Sequence, residues 1–180
     1  MAHAMAELSG QPIVNRVAQS SLVTLDLGDF YPKGKRLELD IAPWLYEGLM
    51  VKETEFRAHL AALDLATYRD AWVRIFCSAD ALLPAWTFPL VSLTLAPVCR
   101  QSFVGSWTEF DHWAIADAIA HLDTEPLRDK PVMVKGCGQY PIPDNAYLML
   151  AQKIQPLVRS LMYGEACSSV PLYKKPKTEL

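Results

Sequence analysis

The sequence has no apolar run that approaches the roughly 20 residues needed to cross a bilayer. Its N-terminus lacks the basic segment followed by an apolar one that marks a secretory signal. The formal net charge is −3 at pH 7, from 17 basic and 20 acidic residues. No concentrated basic surface of the kind that binds nucleic acid is therefore expected. The sequence predicts a cytoplasmic protein with neither a membrane nor a nucleic-acid partner.

Several signatures of catalytic and cofactor sites are also missing. The chain has no C-x-x-C pair, no Rossmann fingerprint, no nucleotide-binding loop and no Ser-His-Asp order. These absences remove the strongest sequence signals for a redox pair, a nucleotide site and a serine hydrolase. They leave open whether the protein is an enzyme.

The composition is that of a globular protein. Of 180 residues, 51% are hydrophobic and 21% are charged, which suits one sizeable core. We therefore expect a single α/β domain over residues 13–175. Residues 1–12 are interpreted as a disordered or cloning-derived tail, and residues 176–180 as a second tail.

Strand and helix patterns alternate along the chain, most regularly from residue 72 onward. The predicted strands are 22–27, 36–41, 72–77, 101–105, 131–135 and 160–164. The predicted helices are 52–63, 80–95, 108–121 and 144–158. Such alternation favours a mostly parallel sheet covered by helices. We predict a three-layer fold of flavodoxin-like character, with an N-terminal extension of one or two edge strands.

Two helix starts can be placed from local signals. Pro84 and Pro89 predict a late start or a kink in the helix over 80–95. The helix over 108–121 is expected to begin with Thr108 as its N-cap and Asp111 at its third helical position.

Three of the four cysteines follow predicted strands. Cys77, Cys137 and Cys167 come after the strands at 72–77, 131–135 and 160–164. Parallel strands of one sheet end at a shared edge, where open α/β sheets bind ligands, so the three thiols are expected to meet. Cys99 lies at a strand start and is assigned to packing.

A metal centre is the preferred hypothesis for these thiols. Three cysteines leave a tetrahedral zinc site one ligand short, and Asp80 is the candidate for the fourth ligand or for a hydrogen-bond partner of the ligands. Zinc is preferred to an iron–sulfur cluster because a carboxylate suits zinc. Asp80 could instead be only the N-cap of the helix that follows it.

Metal-free alternatives stay open. The cysteines could include a reactive thiol, or they could be packed as small apolar side chains. A protein of a different class is the second hypothesis: an interaction protein without metal, forming a homodimer through the Trp44-Leu45-Tyr46 region and its apolar helices.

The chain resembles, from Ile13 to Lys175, the bacterial family called domain of unknown function 2480. The matching segments are Val14–Ala18, Leu22–Leu27, Cys77–Ala81, Lys135–Cys137 and Gly164–Lys174. The resemblance implies a small cytoplasmic bacterial protein, and the family has no assigned activity.

The loop around Cys137 is similar to a loop of the iron–sulfur subunit of respiratory complex I and of hydrogenase small subunits. In Val134–Pro143 a strand ends in Gly-Cys and is followed by spaced prolines. The resemblance implies that Cys137 holds a cluster iron. The middle loop of those proteins has a Gly-x-Cys where this chain has Gly105-Ser106-Trp107, so one ligand is missing.

Overall fold

The computed structural model describes residues 21–135, 138–165 and 168–176. Seven strands and four α-helices lie in these described ranges and confirm the α/β class. In chain order they are β1 (Val23–Asp26), β2 (Arg36–Asp40), α1 (Glu53–Ala61), β3 (Trp72–Phe76), α2 (Thr87–Leu95), β4 (Gln101–Phe103), α3 (Trp107–Ala120), β5 (Pro131–Lys135), α4 (Asp144–Ile154), β6 (Ser160–Glu165) and β7 (Ser168–Lys174).

The strands form two sheets, whereas the sequence predicts one. The first sheet has the order β1-β5-β6-β7 and the second has the order β2-β3-β4. Neighbouring strands are parallel throughout, except that β6 and β7 are antiparallel. The prediction of one sheet is wrong because the alternation of apolar residues identifies a strand but does not say which distant strand pairs with it.

The described residues fall into two compact units. One unit takes the described parts of residues 1–27, 123–139 and 147–180, and the other takes residues 28–122 and 140–146. The first contains the sheet β1-β5-β6-β7, and we call it the four-stranded unit. The second contains the sheet β2-β3-β4, and we call it the three-stranded unit.

The core of the three-stranded unit lies between one face of its sheet and helices α1 and α2. Strand side chains point to opposite faces in alternation, so every second residue of β2 and β3 enters this core. The fully or nearly buried members from these four elements are Leu39, Phe56, Leu60, Val73, Ile75, Val91 and Leu95. A strictly alternating pattern thus gives the sheet one apolar face.

The opposite face of the same sheet packs against α3 through aromatic rings. The ring of Phe110 lies 5.2 Å from that of Trp72 and 4.4 Å from that of Phe103, measured between centroids. Aromatic pairs at such distances add to the free energy of burial. Helix α3 is therefore held against the sheet by Trp72 and Phe103, whose side chains lie on the face opposite the apolar core.

The helix starts differ in part from the prediction. Helix α2 begins only at Thr87, as the prolines indicate, and Pro89 falls in its first turn, where the missing N–H costs nothing. Helix α3 begins one residue earlier than predicted, with Ser106 as its N-cap in a reciprocal capping box with Glu109. The reciprocal pairing of Ser106 with Glu109 satisfies the backbone N–H groups of both residues. These two residues therefore take the capping roles that were predicted for Thr108 and Asp111.

In the four-stranded unit, β5 is buried along three successive residues, Val132, Met133 and Val134. A run without alternation indicates that both faces of the strand are covered. Leu150 and Ile154 of α4 are fully buried. The ring of Tyr147 meets that of Tyr163 at 5.5 Å in an edge-on arrangement.

Strand β7 has no counterpart among the predicted strands. It runs antiparallel to β6 up to the pair Glu165 and Ser168, and all but one of its residues are exposed. An exposed strand that contains Pro171 lacks the alternation by which strands are recognised.

Gly164 in β6 is expected to tolerate no side chain. Its φ is +118°, and a Cβ placed there would lie 2.5 Å from the backbone oxygen of Ser168. Gly164→Ala should lower the free energy of unfolding by more than about 1 kcal/mol. Gly138→Ala is the matched control, because no atom of the described residues lies within 4 Å of its added Cβ. Urea unfolding followed by circular dichroism measures both variants, and equal stabilities would contradict the assigned strain.

Candidate functional site

Cys77, the first predicted metal ligand, lies directly after β3 and is half-buried. Its side chain packs against the apolar core of the three-stranded unit, and its Sγ lies 3.5 Å from the backbone oxygen of Ala79. Cys99 packs against the same core, and burial raises the pKa of its thiol. Both thiols occupy positions typical of small apolar side chains.

Asp80, the predicted fourth ligand, is exposed. The alternative interpretation of Asp80 as an N-cap is wrong, because α2 begins seven residues later with Trp86 at that position. The chain between Asp80 and α2 pairs with another segment, because Leu82 forms an isolated β-bridge with Met50. Helical hydrogen bonding therefore does not begin at Asp80.

The other two predicted ligands, Cys137 and Cys167, lie outside the described residues. The strands before them, β5 and β6, belong to the four-stranded sheet, whereas β3 before Cys77 belongs to the three-stranded sheet. The premise that all three cysteines follow strands of one sheet is therefore wrong. Within the described part of the chain, no group of three or more His, Cys, Asp or Glu side chains could hold a metal ion together.

Asp40 joins the carboxyl ends of β2 and β3. Its carboxylate accepts hydrogen bonds from the backbone N–H of Ala42 (2.9 Å) and of Ser78 (3.0 Å), and from the Ser78 hydroxyl. Burial opposes ionisation of Asp40, but these hydrogen bonds outweigh it, so the pKa of the carboxyl is lowered. The loop that follows Cys77 is thus fixed by a charged acceptor.

A half-buried polar cluster holds α3 on the sheet. Arg36 at the start of β2 donates to both carboxylate oxygens of Asp111, at 2.5 and 3.2 Å, and Tyr31 donates to the same carboxylate at 2.8 Å. Arg36 also donates to the Tyr31 hydroxyl at 3.0 Å. The sequence interpretation missed this cluster because it assigned Asp111 to helix capping.

Aromatic rings and a second ion pair surround the cluster. The Arg36 guanidinium lies 4.9 Å from the ring centre of Trp107, whose indole N–H donates to Glu38 at 3.1 Å. Glu38 also pairs with Arg74 on the adjacent strand at 2.9 Å. Each charged side chain in this network already has a partner, so the network holds α3 on the sheet and is not a ligand site.

The outer side of β4 is an open edge of the three-stranded sheet. β4 is the last strand in the order β2-β3-β4, and no other strand of the described chain pairs with it. The backbone N–H of Trp72 is directed to β2, where it donates to Lys35. The backbone N–H and C=O of Val73, the next residue, therefore point towards β4. Because Val73 is paired with Ser102 in a parallel ladder, the groups of β4 that bond to β3 belong to Gln101 and Phe103. The N–H and C=O groups of Ser102 therefore point away from the sheet.

Two clefts flank this open side, which we call the β4 edge (residues 101–104). A cleft of about 400 Å³ lies between β4 and α3, and its walls are formed by Gln101, Phe103, Val104, Gly105, Glu109, Phe110 and Trp113. A cleft of about 260 Å³ lies on the α2 side, with walls formed by Ile75, Phe88, Pro89, Ser92, Ser102, Phe103 and Val104. Val104 is 55% exposed and Trp113 is 47% exposed. An open strand therefore lies between two mainly apolar grooves.

The other sheet edges carry features that discourage strand pairing. β2 has charged Arg36, Glu38 and Asp40, and β1 ends in Asp26. β7 contains Pro171 and has an irregular register against β6. β4 has no charge, no proline and no bulge, and only its short length limits pairing.

The apolar segment proposed from the sequence as a dimer surface is largely turned inward. Leu45 is buried, and Trp44 packs edge-on against Phe56 and stacks on His59. The exposed apolar side chains of this loop are instead Leu49 and Met50. The segment mainly completes the core around α1.

The comparison with protein families gives a match over residues 11–175, to a family described as protein of unknown function (DUF2480). The chain belongs to this family. The match covers nearly the full sequence and agrees with the resemblance drawn from the sequence motifs.

No curated protein and no solved structure matches the chain. The similarity of the Cys137 loop to iron–sulfur subunits therefore gains no support. None of the helices in the described ranges combines the length and the apolar character that crossing a bilayer requires.

Tyr31 should make the stability of the protein fall at alkaline pH. Burial raises its pKa above the ordinary value of 10.0, and the hydrogen bond to Asp111 and the charge of Asp111 raise it further. The unfolded chain then loses this proton at lower pH than the folded chain. The contribution of Tyr31 is full below about pH 10 and is lost as the pH rises through its folded-state pKa.

Unfolding free energies of wild type and Tyr31→Phe, measured at about pH 9 and about pH 11, check this dependence. The wild type should lose more stability over that range than the variant. Equal losses would show that the Tyr31 hydroxyl ionises alike in both states.

Proposed function

We propose that this chain is a protein-interaction module whose β4 edge accepts an extended segment of another chain as an added strand. The observation that supports it is the open strand between two mainly apolar clefts, in a sheet whose opposite edge strand carries charges. Cys77 and Cys99 are free thiols, which suits the reducing cytoplasm. A cytoplasmic location is part of the proposal.

Backbone groups would supply the affinity in this mode of recognition. Ser102 offers one outward N–H and one outward C=O, so an added strand can form two hydrogen bonds with β4 at this residue. A net contribution of about 0.5–1.5 kcal/mol for each bond gives modest affinity. The side chains of the added strand must contribute the remainder.

The two clefts would supply the selectivity. Side chains of the added strand alternate between the faces of the sheet, so they enter the α3 cleft and the α2 cleft in turn. The α3 cleft is walled by the rings of Phe103 and Phe110, and the α2 cleft by Phe88 and Pro89. Apolar or aromatic residues on both sides of the added strand fit these walls.

Peptide binding tests this function. Peptides of about ten residues are selected from a phage-displayed library on the immobilised protein, and the dissociation constant of a selected peptide is measured by fluorescence anisotropy. N-methylation of the alternate amides that face β4 should weaken binding at least about tenfold, because it removes the donors. N-methylation of the other alternate amides is the matched control and should have little effect.

Variants of Ser102 give the complementary test on the protein. Ser102→Pro removes an outward donor that the internal sheet does not use, and it should weaken peptide binding by a similar factor. Ser102→Ala keeps the N–H and, like the proline variant, loses the hydroxyl that donates to Ser92 at 2.8 Å, so it should bind as wild type. Equal binding by both variants, or equal effects of the two N-methylation patterns, would exclude strand addition at β4.

A metal centre is the second candidate function. β5 and β6 are parallel neighbours, with Val134 paired to Tyr163, and parallel strands end at the same edge of their sheet. Cys137 follows β5 and Cys167 follows β6 in the sequence. This arrangement supports zinc, or alternatively an iron–sulfur cluster, as a proposal in the four-stranded unit.

Elemental analysis tests the metal hypothesis on protein purified without oxygen and without a histidine tag. The proposal in the four-stranded unit predicts stoichiometric zinc or iron that is lost in Cys137→Ser and Cys167→Ser. The sequence-based hypothesis, which adds Cys77 and Asp80, predicts that the metal is also lost in Cys77→Ser and reduced in Asp80→Asn. Cys99→Ser is the control that keeps the metal, since serine is a poor substitute only where a thiolate binds. Metal-free wild-type protein would refute the hypothesis.

A further inference from the structure

We infer that the α3 cleft binds a guanidinium group, supplied by an arginine side chain of the strand that the β4 edge receives. The inference rests on the proposed function and names the side chain that this strand sends into the cleft. It starts from two residues of α3, since the Glu109 carboxylate and the Trp113 indole are walls of the same cleft of about 400 Å³. A carboxylate beside an aromatic face is the pair of groups that attracts an organic cation.

Helix α3 already holds one guanidinium with the same pair of groups. Arg36 donates to the carboxylate of Asp111, and its guanidinium lies 4.9 Å from the ring centre of Trp107. Trp107 and Asp111 are four residues apart, so they lie on the same face of the helix. Glu109 and Trp113 repeat this spacing in reversed order. Among the described residues, no lysine, arginine or histidine pairs with the Glu109 carboxylate or stacks on the Trp113 ring, so this second pair is available to a cation of another chain.

The Glu109 carboxylate is fixed in position by the start of its own helix. Its Oε2 accepts from the backbone N–H (2.7 Å) and the hydroxyl (2.8 Å) of Ser106. These hydrogen bonds, the backbone one first, lower the pKa of the Glu109 carboxyl, so it carries its charge at neutral pH. Gly105 leaves room for the carboxylate, since a Cβ there would lie 2.9 Å from Oε2. The charge is thus held at the wall of the cleft before a ligand enters.

The rings of the cleft favour arginine over other side chains. Trp113 is about half exposed, and its ring lies 6.0 Å from that of Phe110, which stacks on Phe103 at 4.4 Å. A planar guanidinium stacks on aromatic faces and is more weakly hydrated than the ammonium of lysine. The stem of arginine is apolar and can lie along the rings. Arginine therefore satisfies the apolar walls and also places a positive charge beside Glu109.

The two clefts differ in charge, which gives the added strand a two-sided pattern. The walls of the α2 cleft contain no charged side chain, whereas those of the α3 cleft contain Glu109. Successive side chains of a strand point to opposite faces. Arginine is therefore expected only among the alternate residues that face α3, and apolar residues are expected among those that face α2.

The peptides selected on the immobilised protein test the inference. They should contain an arginine, and its replacement by citrulline, which keeps the shape of the side chain without its charge, should raise the dissociation constant at least about fivefold. Replacement by lysine should have a smaller effect, because lysine keeps the charge. Fluorescence anisotropy measures all three peptides. Selected peptides without arginine, or equal binding of the arginine and citrulline forms, would overturn the inference.

Protein variants locate the cation. Glu109→Gln removes the charge but keeps the helix cap, because glutamine also serves in a capping box, and it should abolish the preference for arginine over citrulline. Glu55→Gln, at an exposed carboxylate of α1, is the matched control and should keep the preference. Trp113→Leu should weaken binding of the arginine peptide, whereas Trp113→Tyr keeps an aromatic face and should retain it. Circular dichroism verifies each fold, and an undiminished preference in Glu109→Gln would overturn the assignment.

The outcomes separate this inference from the proposed function. Peptide binding that depends on Ser102→Pro and on the N-methylation pattern, but not on the charge of arginine, overturns the guanidinium site and leaves strand addition standing. Peptide binding that ignores Ser102→Pro and both N-methylation patterns overturns strand addition, and with it an arginine supplied by an added strand. Agmatine, a free guanidine, distinguishes the source of the cation. It should bind far more weakly than the peptide, and equal affinity would assign the cleft to a small molecule instead.

Discussion

The ion pair between Arg36 and Asp111 is the constraint on which the proposed surface depends. It joins the first residue of β2 to the second turn of α3, and Tyr31 donates to the same carboxylate. Taking such charges out of water is costly unless geometry and hydrogen bonding are good, and here both carboxylate oxygens accept. α3 therefore has a defined position on the sheet. The cleft between α3 and β4 has fixed walls for the same reason.

The three-stranded sheet has two unlike faces because its strands alternate strictly. One face sends Leu39, Val73 and Ile75 into the apolar core, and the other carries Glu38 and Arg74, paired directly across neighbouring strands. A parallel sheet is normally covered on both faces. Helix α3 can cover the polar face only if the charges of that face are paired. It supplies Asp111 and Trp107 as partners for these charges, in addition to its aromatic contacts. The attachment of α3 to the sheet therefore follows from the alternation of polar and apolar residues in β2 and β3.

Much of the local structure could be predicted from the sequence. β5 spans the predicted residues, and β2 and β3 differ from prediction only at their ends, because period-two alternation and apolar runs are local signals. The start of α3 was missed since Ser106 and Thr108 are both good N-caps, and only the reciprocal Glu109 contact decides between them. The division into two sheets could not be predicted. Pairing between strands far apart in sequence depends on the whole packing, which no local pattern contains.

The position of Cys77 shows how a strand-end residue can be misread. The end of a parallel strand tells at which edge of the sheet a side chain lies, but only its parity along the strand tells which face it occupies. Cys77 has the same parity as Val73 and Ile75, so it falls on the face that these residues bury, and it packs there against the core. That parity is readable from the sequence. At the end of a strand with one apolar face, a cysteine of the same parity as the apolar residues packs against the core. A ligand for an open edge is expected at a position of the opposite parity.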